Sequence, residues 1–412
     1  MTFRAIFTAV IVAAALLLVV LMVNKQRPVV ETQQPSVDLV KASGKCAECH
    51  SRETHAIVYE FSLSGHAKAK INCLDCHQAL PGQAKMEHRG FIIASRLTSL
   101  NCSQCHAEQY DQFLRSRHAA PSWAAVKGPD DFTPEQILFA EKYHEGTVKR
   151  PANKLAELEG GPAIAVGCAK CHNIGKPNDD GSIGTCTACH ARHASSVELA
   201  RLPQTCGQCH MGPDHSQIEI YKESKHGVLF NQQRAMMNLN AKPGTLTTSD
   251  MPVPTCATCH MSGLNGLKST HDTSERLSYW LFAPVSKKRP GYTLAQANMQ
   301  DVCKQCHTAP YVERFYQEAE SVVEETNVKV GKAQALMLKL KDEGLLNHPP
   351  FSQEIDFVYF DMWHYFGRTA KHGAFMGGAD FVQWHGNYEL LHSQVILDEL
   401  AKKLQEEHGN EE

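Results

Sequence analysis

The sequence predicts a mainly α-helical fold with little strand, and three observations point there. All sixteen cysteines fall in C-x-x-C pairs, and a histidine follows each pair at once. The C-terminal hundred residues contain long runs rich in Glu, Ala, Lys and Leu with helical periodicity. Only 42% of the 412 residues are hydrophobic, so apolar side chains are a modest source of core for a chain of this length.

The pairs are Cys46/Cys49, Cys73/Cys76, Cys102/Cys105, Cys168/Cys171, Cys186/Cys189, Cys206/Cys209, Cys256/Cys259 and Cys303/Cys306. The histidines that follow are His50, His77, His106, His172, His190, His210, His260 and His307. Two thiols at this spacing can each add to one vinyl group of a haem, and the next residue then supplies an axial imidazole. Zinc sites use C-x-x-C without requiring His after every pair. A disulfide scaffold needs no histidine, and a thioredoxin-like redox pair would occur once. Histidine is 23 of 412 residues, so eight successes by chance come to roughly 10⁻¹⁰. The expectation is a multihaem cytochrome c with eight covalently bound haem c groups, its helices and loops packed around porphyrins.

The chain opens MTFRAIFTAVIVAAALLLVVLMVNKQRP, apolar from Ala5 to Val23 apart from Thr8. Nineteen residues can cross a bilayer as a helix, and no A-x-A cleavage site follows. Residues 1–24 therefore read as a transmembrane anchor, with a cleaved signal as the alternative, and 25–40 as a tether. Haem c attachment places the remainder on the periplasmic side of a bacterial inner membrane. A net charge of −3 carries no nucleic-acid footprint.

Residues 41–310 form the expected haem-binding domain. Motifs are close together in 41–110 and 166–215, and 111–165 is a helix-and-loop insertion without one. Residues 311–412 form a helical region. Val312–Leu346 is helical, with Phe315, Ala319, Val322, Val323, Val330, Ala333, Leu336 and Leu340 near one face and Pro349–Pro350 ending it. Further helices are expected from Ser352 to about Phe375 and from about Ala379 to Glu407. Such a bundle suits an oligomer interface.

Fifteen histidines lie outside the motifs. Those expected as sixth ligands, in short helical contexts, are His66, His88, His118, His193, His226, His271, and His372 or His385, with His385 preferred. His55, His144, His348, His392 and His408 read as dispensable. Asp214 and His215 are adjacent, just after a haem motif and a Gly-Pro turn. A carboxylate beside an imidazole can relay protons. The plain alternative is a helix-capping Asp with His215 ligating a haem.

Longer motifs carry a family resemblance. CHMGPDHSQ (209–217), SKHG (224–227), PTCATCHMSG (254–263), THD (270–272) and GAFMGGADFVQWHGNYE (373–389), with the motif spacing, resemble the octahaem hydroxylamine oxidoreductase family over about residues 45–395. The resemblance implies that the fourth haem, held by Cys168 and Cys171 with His172 as proximal ligand, is the catalytic one. It implies Asp214 and His215 as the distal pair, a distal tyrosine for which Tyr292 is a guess, seven bis-histidine haems, and a homotrimer built on the C-terminal helices. In hydroxylamine-oxidising members a neighbouring subunit's tyrosine cross-links to the catalytic haem, and Phe381 stands where that tyrosine aligns, with Tyr388 and Tyr359 nearby. The expected activity is accordingly reduction of nitrite or hydroxylamine to ammonium, fed by a quinone-linked membrane protein or a small cytochrome. Hydroxylamine or hydrazine oxidation, and a non-catalytic electron-transfer protein, are the alternatives.

Overall fold

The computed structural model describes residues 14–16, 18, 35–281 and 283–409. Apart from residues 14–16 and 18, the apolar run Ala5–Val23 lies outside them, as does most of the tether. No helix among the described residues is long and apolar enough to cross a membrane.

Helices dominate, and described strand is confined to two antiparallel pairs, Lys85–His88 with Phe91–Ala94 and Tyr279–Trp280 with Lys287–Lys288. Several motif helices begin on a cap written into the sequence. Asn72 accepts from the Leu74 and Asp75 backbone N–H groups, while Asp75 accepts from the Asn72 N–H, immediately before Cys73. Thr98 with Asn101 and Thr255 with Thr258 form the same reciprocal box. Each satisfies N–H groups that a five-residue helix would otherwise leave bare.

A polar knot holds the first motifs against the middle of the chain. Gln83 Nε2 donates to Thr98 Oγ1, Asn101 Oδ1 and Asp180 Oδ2, and Asn101 Nδ2 donates to the Cys76 carbonyl. The stretch without a motif, 111–165, folds into short helices around Leu114, Trp123, Phe132, Ala140 and Val148, and Ile183 from the central motif region closes that core. It is more than a cover, because its Ser122 meets the fourth motif.

The fourth motif forms helix α1, Cys168–His172, and helix α2, Gln217–Glu223, follows the sixth. Helix α3, Ala309–Asp342, buries Val312, Tyr316, Ala319, Val323, Val330, Ala333 and Leu340. The buried face passes through Tyr316 rather than Phe315. The helix ends at Gly344, which adopts φ +76° and donates its N–H to the Lys341 carbonyl, several residues before the prolines. Glu354–Asp361, a π-helical turn Met362–Phe366, and helix α4, Gly367–Met376, then run continuously. A second π turn, Gln383–Tyr388, leads into helix α5, Glu389–Gly409. Helix α4 lies between α3 and α2: Gly367 meets Val330, and Ser216, at the start of α2, contacts Thr369 at 3.3 Å. This sandwich sets the C-terminal region against the residues around Asp214.

Candidate haem and substrate site

Two imidazoles that share one metal ion have a fixed spacing. A nitrogen lies about 2 Å from the metal and about 1 Å from its ring centre, so ring centres stand about 6 Å apart. The structure places motif histidines against distant ones at that spacing: His50–His88 at 6.1 Å, His66–His106 at 6.0 Å, His77–His193 at 6.3 Å, His190–His271 at 6.5 Å and His226–His307 at 6.0 Å. His88 comes from a strand end rather than a helix. Gly227 makes the His226 arrangement possible, because a Cβ there would run into the Tyr221 carbonyl oxygen.

The remaining motifs meet at the centre. His210 has His118 at 5.8 Å and His215 at 6.0 Å. Burial depresses His118 to about 3, and His210 and His260 to about 4, so these rings are neutral, as metal ligation requires. His372 is buried on α4, its ring in contact with Gln217 Nε2 at 3.1 Å. His385 corrects the expectation: it is 61% exposed and paired with Asp380 at 3.1 Å on the surface. The π turn carries it to the outer face, and His372 takes the buried position instead.

His172 is built differently. Its Nδ1 donates to the Ser122 carbonyl at 2.6 Å, which fixes the ring and leaves Nε2 to face a metal. Gly175 lets the insertion come this close, since a Cβ there would collide with the Ala119 carbonyl oxygen. The groups whose charge reaches His172 are His215 and Asp214. Asp214 Oδ2 accepts from His215 Nδ1 at 2.8 Å, and Arg368 Nη1 donates to Oδ1 at 2.5 Å. His364 Nδ1 stands 3.0 Å from the same Oδ1. Burial pushes the Asp214 carboxyl up, but the hydrogen bond from His215 and the charges of His364 and Arg368 outweigh it and hold it below the usual range. Burial first, then Arg368, bring His364 down to about 3.

Residues 69–350 match the family described as seven times multi-haem cytochrome CxxCH, which is more than half of the chain. The chain is a multihaem cytochrome. Over 348 residues, 74% of its length, it is 25% identical to a probable nitrite reductase-hydroxylamine oxidoreductase fusion protein of Kuenenia stuttgartiensis. The chain spans 39% of that relative's length. Among solved structures it resembles a hypothetical multihaem protein (TM-score 0.73, 22% identity, 91% of this chain and 99% of that one). It also resembles the reducing HAO-like protein complex of Kuenenia stuttgartiensis (TM-score 0.66, 20% identity, 89% and 86%).

The motif cysteines of the cytochrome lie close to one another in space, as suits haem groups that lie side by side. Cys46 is felt by Cys73, and Cys76 by Cys102 and Cys105. Cys102 lies beside Cys186, Cys189 beside Cys206, Cys206 beside Cys256, and Cys259 beside Cys303. The motif sulfurs therefore lie along a spatial path running first, second, third, fifth, sixth, seventh, eighth. The fourth joins at the sixth, through Cys171 and Cys209. Cys46 and Cys49 are both half-buried on helix Gly44–Glu53. A cavity of about 2350 Å³, lined by cysteines and histidines of the third to eighth motifs, runs along this path. That exceeds the roughly 300–1,000 Å³ of a single ligand pocket.

Two aromatic expectations change. Phe381 is 7% exposed and packed on Gly373 and Gly378 of its own chain. The exposed rings of this segment are Trp384 and Tyr388. The tyrosine that shares the cavity with Asp214, and feels its charge, is Tyr365, whereas Tyr292 lies under Lys288 at 4.7 Å. His364, Tyr365 and Arg368 carry no local motif. Their signal is weak: an imidazole and a guanidinium at i and i+4 in an aromatic-rich helix.

Proposed function

We propose that the protein is an octahaem oxidoreductase of the hydroxylamine oxidoreductase type that reduces nitrite, hydroxylamine or both to ammonium. The observation that carries this is the contrast between His172, faced by the Asp214 cluster, and the histidine pairs elsewhere. His66, His88, His118, His193, His226, His271 and His372 serve as distal ligands of the other seven haems, which store and relay electrons. A haem held by Cys168, Cys171 and His172 would supply the redox chemistry on a small nitrogen compound. Nitrite needs six electrons and eight protons to become ammonium and two waters. His215 is the proton donor, and Asp214 orients its ring and stabilises it once charged. Arg368 keeps Asp214 ionised, and His364 is a second imidazole on the same carboxylate through which it can be reprotonated. Buried cationic charge at the site suits an anionic substrate. Of the two Kuenenia proteins, one is a reducing HAO-like complex and the other joins a nitrite reductase to a hydroxylamine oxidoreductase, which supports the reductive direction and keeps the oxidative one as the second reading.

Residues 1–24 anchor the chain to the periplasmic face of the inner membrane, where a quinone-linked membrane protein or small cytochrome delivers electrons. The exposed stripe Trp384, Tyr388, Leu391 and Val395, at helical spacing, is the face on which a homotrimer would close. Exposed Tyr388 also favours a second reading, hydroxylamine or hydrazine oxidation with a cross-link to a neighbour's haem.

The test uses one haem-loaded sample. Ammonium formed quickly from nitrite and a reduced low-potential dye, with slow hydroxylamine oxidation, supports the reductase. The reverse rates, with a Tyr388 peptide bound to haem by mass spectrometry, establish the oxidative reading.

A further inference from the structure

Three arginines distant in sequence, Arg117, Arg150 and Arg289, line the same cavity. Ser274 holds two of them together. Its Oγ accepts from the Arg117 backbone N–H at 3.0 Å, and its carbonyl accepts from Arg289 Nη1 at 2.8 Å. Arg117 Nη1 donates to Thr147 Oγ1 at 3.0 Å, in the loop that leads to Arg150, and its guanidinium lies 4.4 Å from the Trp280 ring centre. Asp272 is the carboxylate that answers Arg117 and Arg289. One carboxylate against three guanidiniums leaves a surplus of positive charge on the wall of a largely apolar cavity. Half-buried like charges such as Arg117 and Arg289, with Arg150 beside them, are costly unless an anion sits among them.

The cluster's place identifies that anion. Arg117 directly precedes His118, and Asp272 directly follows His271. His271 faces His190, and His118 faces His210. Thr273 Oγ1 lies 3.4 Å from His118 Nδ1, which joins the two ligand segments. A long side chain next to an axial ligand reaches the rim of the porphyrin, and the rim carries two propionate carboxylates. Guanidinium matches a carboxylate in a two-pronged hydrogen bond.

We propose that Arg117, Arg150 and Arg289 form a shared clamp for the propionates of the haem between His190 and His271 and the haem ligated by His118. The clamp raises the reduction potentials of these haems, because positive charge near the iron favours its reduced form. It rests on haem attachment alone, so it stands or falls independently of the substrate and direction proposed above.

The experiment uses the full chain, haem-loaded, as Arg117→Gln, Arg289→Gln and Arg150→Gln. Arg150 is exposed, so its variant folds even if the buried ones do not. Arg115→Gln, an exposed arginine paired with Asp111, is the control. The readouts are haem number by intact mass, spectropotentiometric titration, and the propionate bending bands of the resonance Raman spectrum. The expected result is a full haem complement, propionate bands that move, and a fall in the midpoint potential of one or two haems in each clamp variant, with no change in Arg115→Gln. Bands and potentials unchanged in the clamp variants would overturn the proposal. So would bands that respond to added nitrite in the unmodified protein and lose that response in the variants, which would make the cluster a site for a free anion.

Discussion

The histidine pairs and the pocket facing His172 use the same residues for opposite purposes. At His77–His193 or His226–His307, two imidazoles stand about 6 Å apart and an iron held between them would have no position to spare. At His172 the motif imidazole is anchored to Ser122, and the groups across from it are a carboxylate, two imidazoles and a guanidinium held to one another. A closed pair changes little between oxidation states and suits electron transfer. A polar cluster aimed at one ligand position suits proton transfer. On the function proposed above, coordination rather than haem attachment would separate wire from reaction site within one chain.

The strongest way to break this comparison is Asp214→Asn. Nitrite turnover is expected to fall by about 10²–10⁴ while the absorption spectrum and haem number hold. A loss of less than about tenfold in the ammonium assay would make the cluster structural. The next test converts one region into the other. The reduced unmodified protein is expected to take up one carbon monoxide per chain, and His372→Ala to take up two. His385→Ala should behave as the unmodified protein does, and a second carbon monoxide in that variant instead would restore His385 as a ligand.

A smaller effect is expected at the anchor of His172. Gly175→Ala forces a methyl onto the Ala119 carbonyl and should cost about 1–3 kcal/mol of stability, read as a lower Tm. If Tm is unchanged, the approach of the insertion to the fourth motif is loose. The smallest concerns pH. Asp214 is held below its ordinary value in the folded protein, so the stabilisation it contributes is whole above about pH 4. It is lost as pH falls through the folded value. The Tm difference between the unmodified protein and Asp214→Asn should therefore be constant from about pH 8 to 5 and close below about 4. A difference that grows on acidification would contradict the sign.

The sequence by itself determined the cofactor chemistry and the helical character, because both are local. Attachment needs two thiols and an imidazole within five positions, and Ala309–Asp342 writes its buried face at helical spacing. Asp214 and His215 were legible for the same reason, being adjacent. Distal ligation was partly legible: His226 sits in a recognisable SKHG, but nothing local separates His372 from His385, thirteen residues apart in the C-terminal helical region. Tertiary burial decided it, placing one against Gln217 and the other beside exposed Asp380. His364 and Arg368 reach Asp214 across some 150 residues, through a π turn whose register no pattern of polar and apolar residues specifies. The order of the motifs in space also belongs to the tertiary structure. Cys102 lies beside Cys186 and leaves the fourth motif to join at the sixth. Contact between motifs depends on how helices cross and not on how far apart their cysteines lie along the chain.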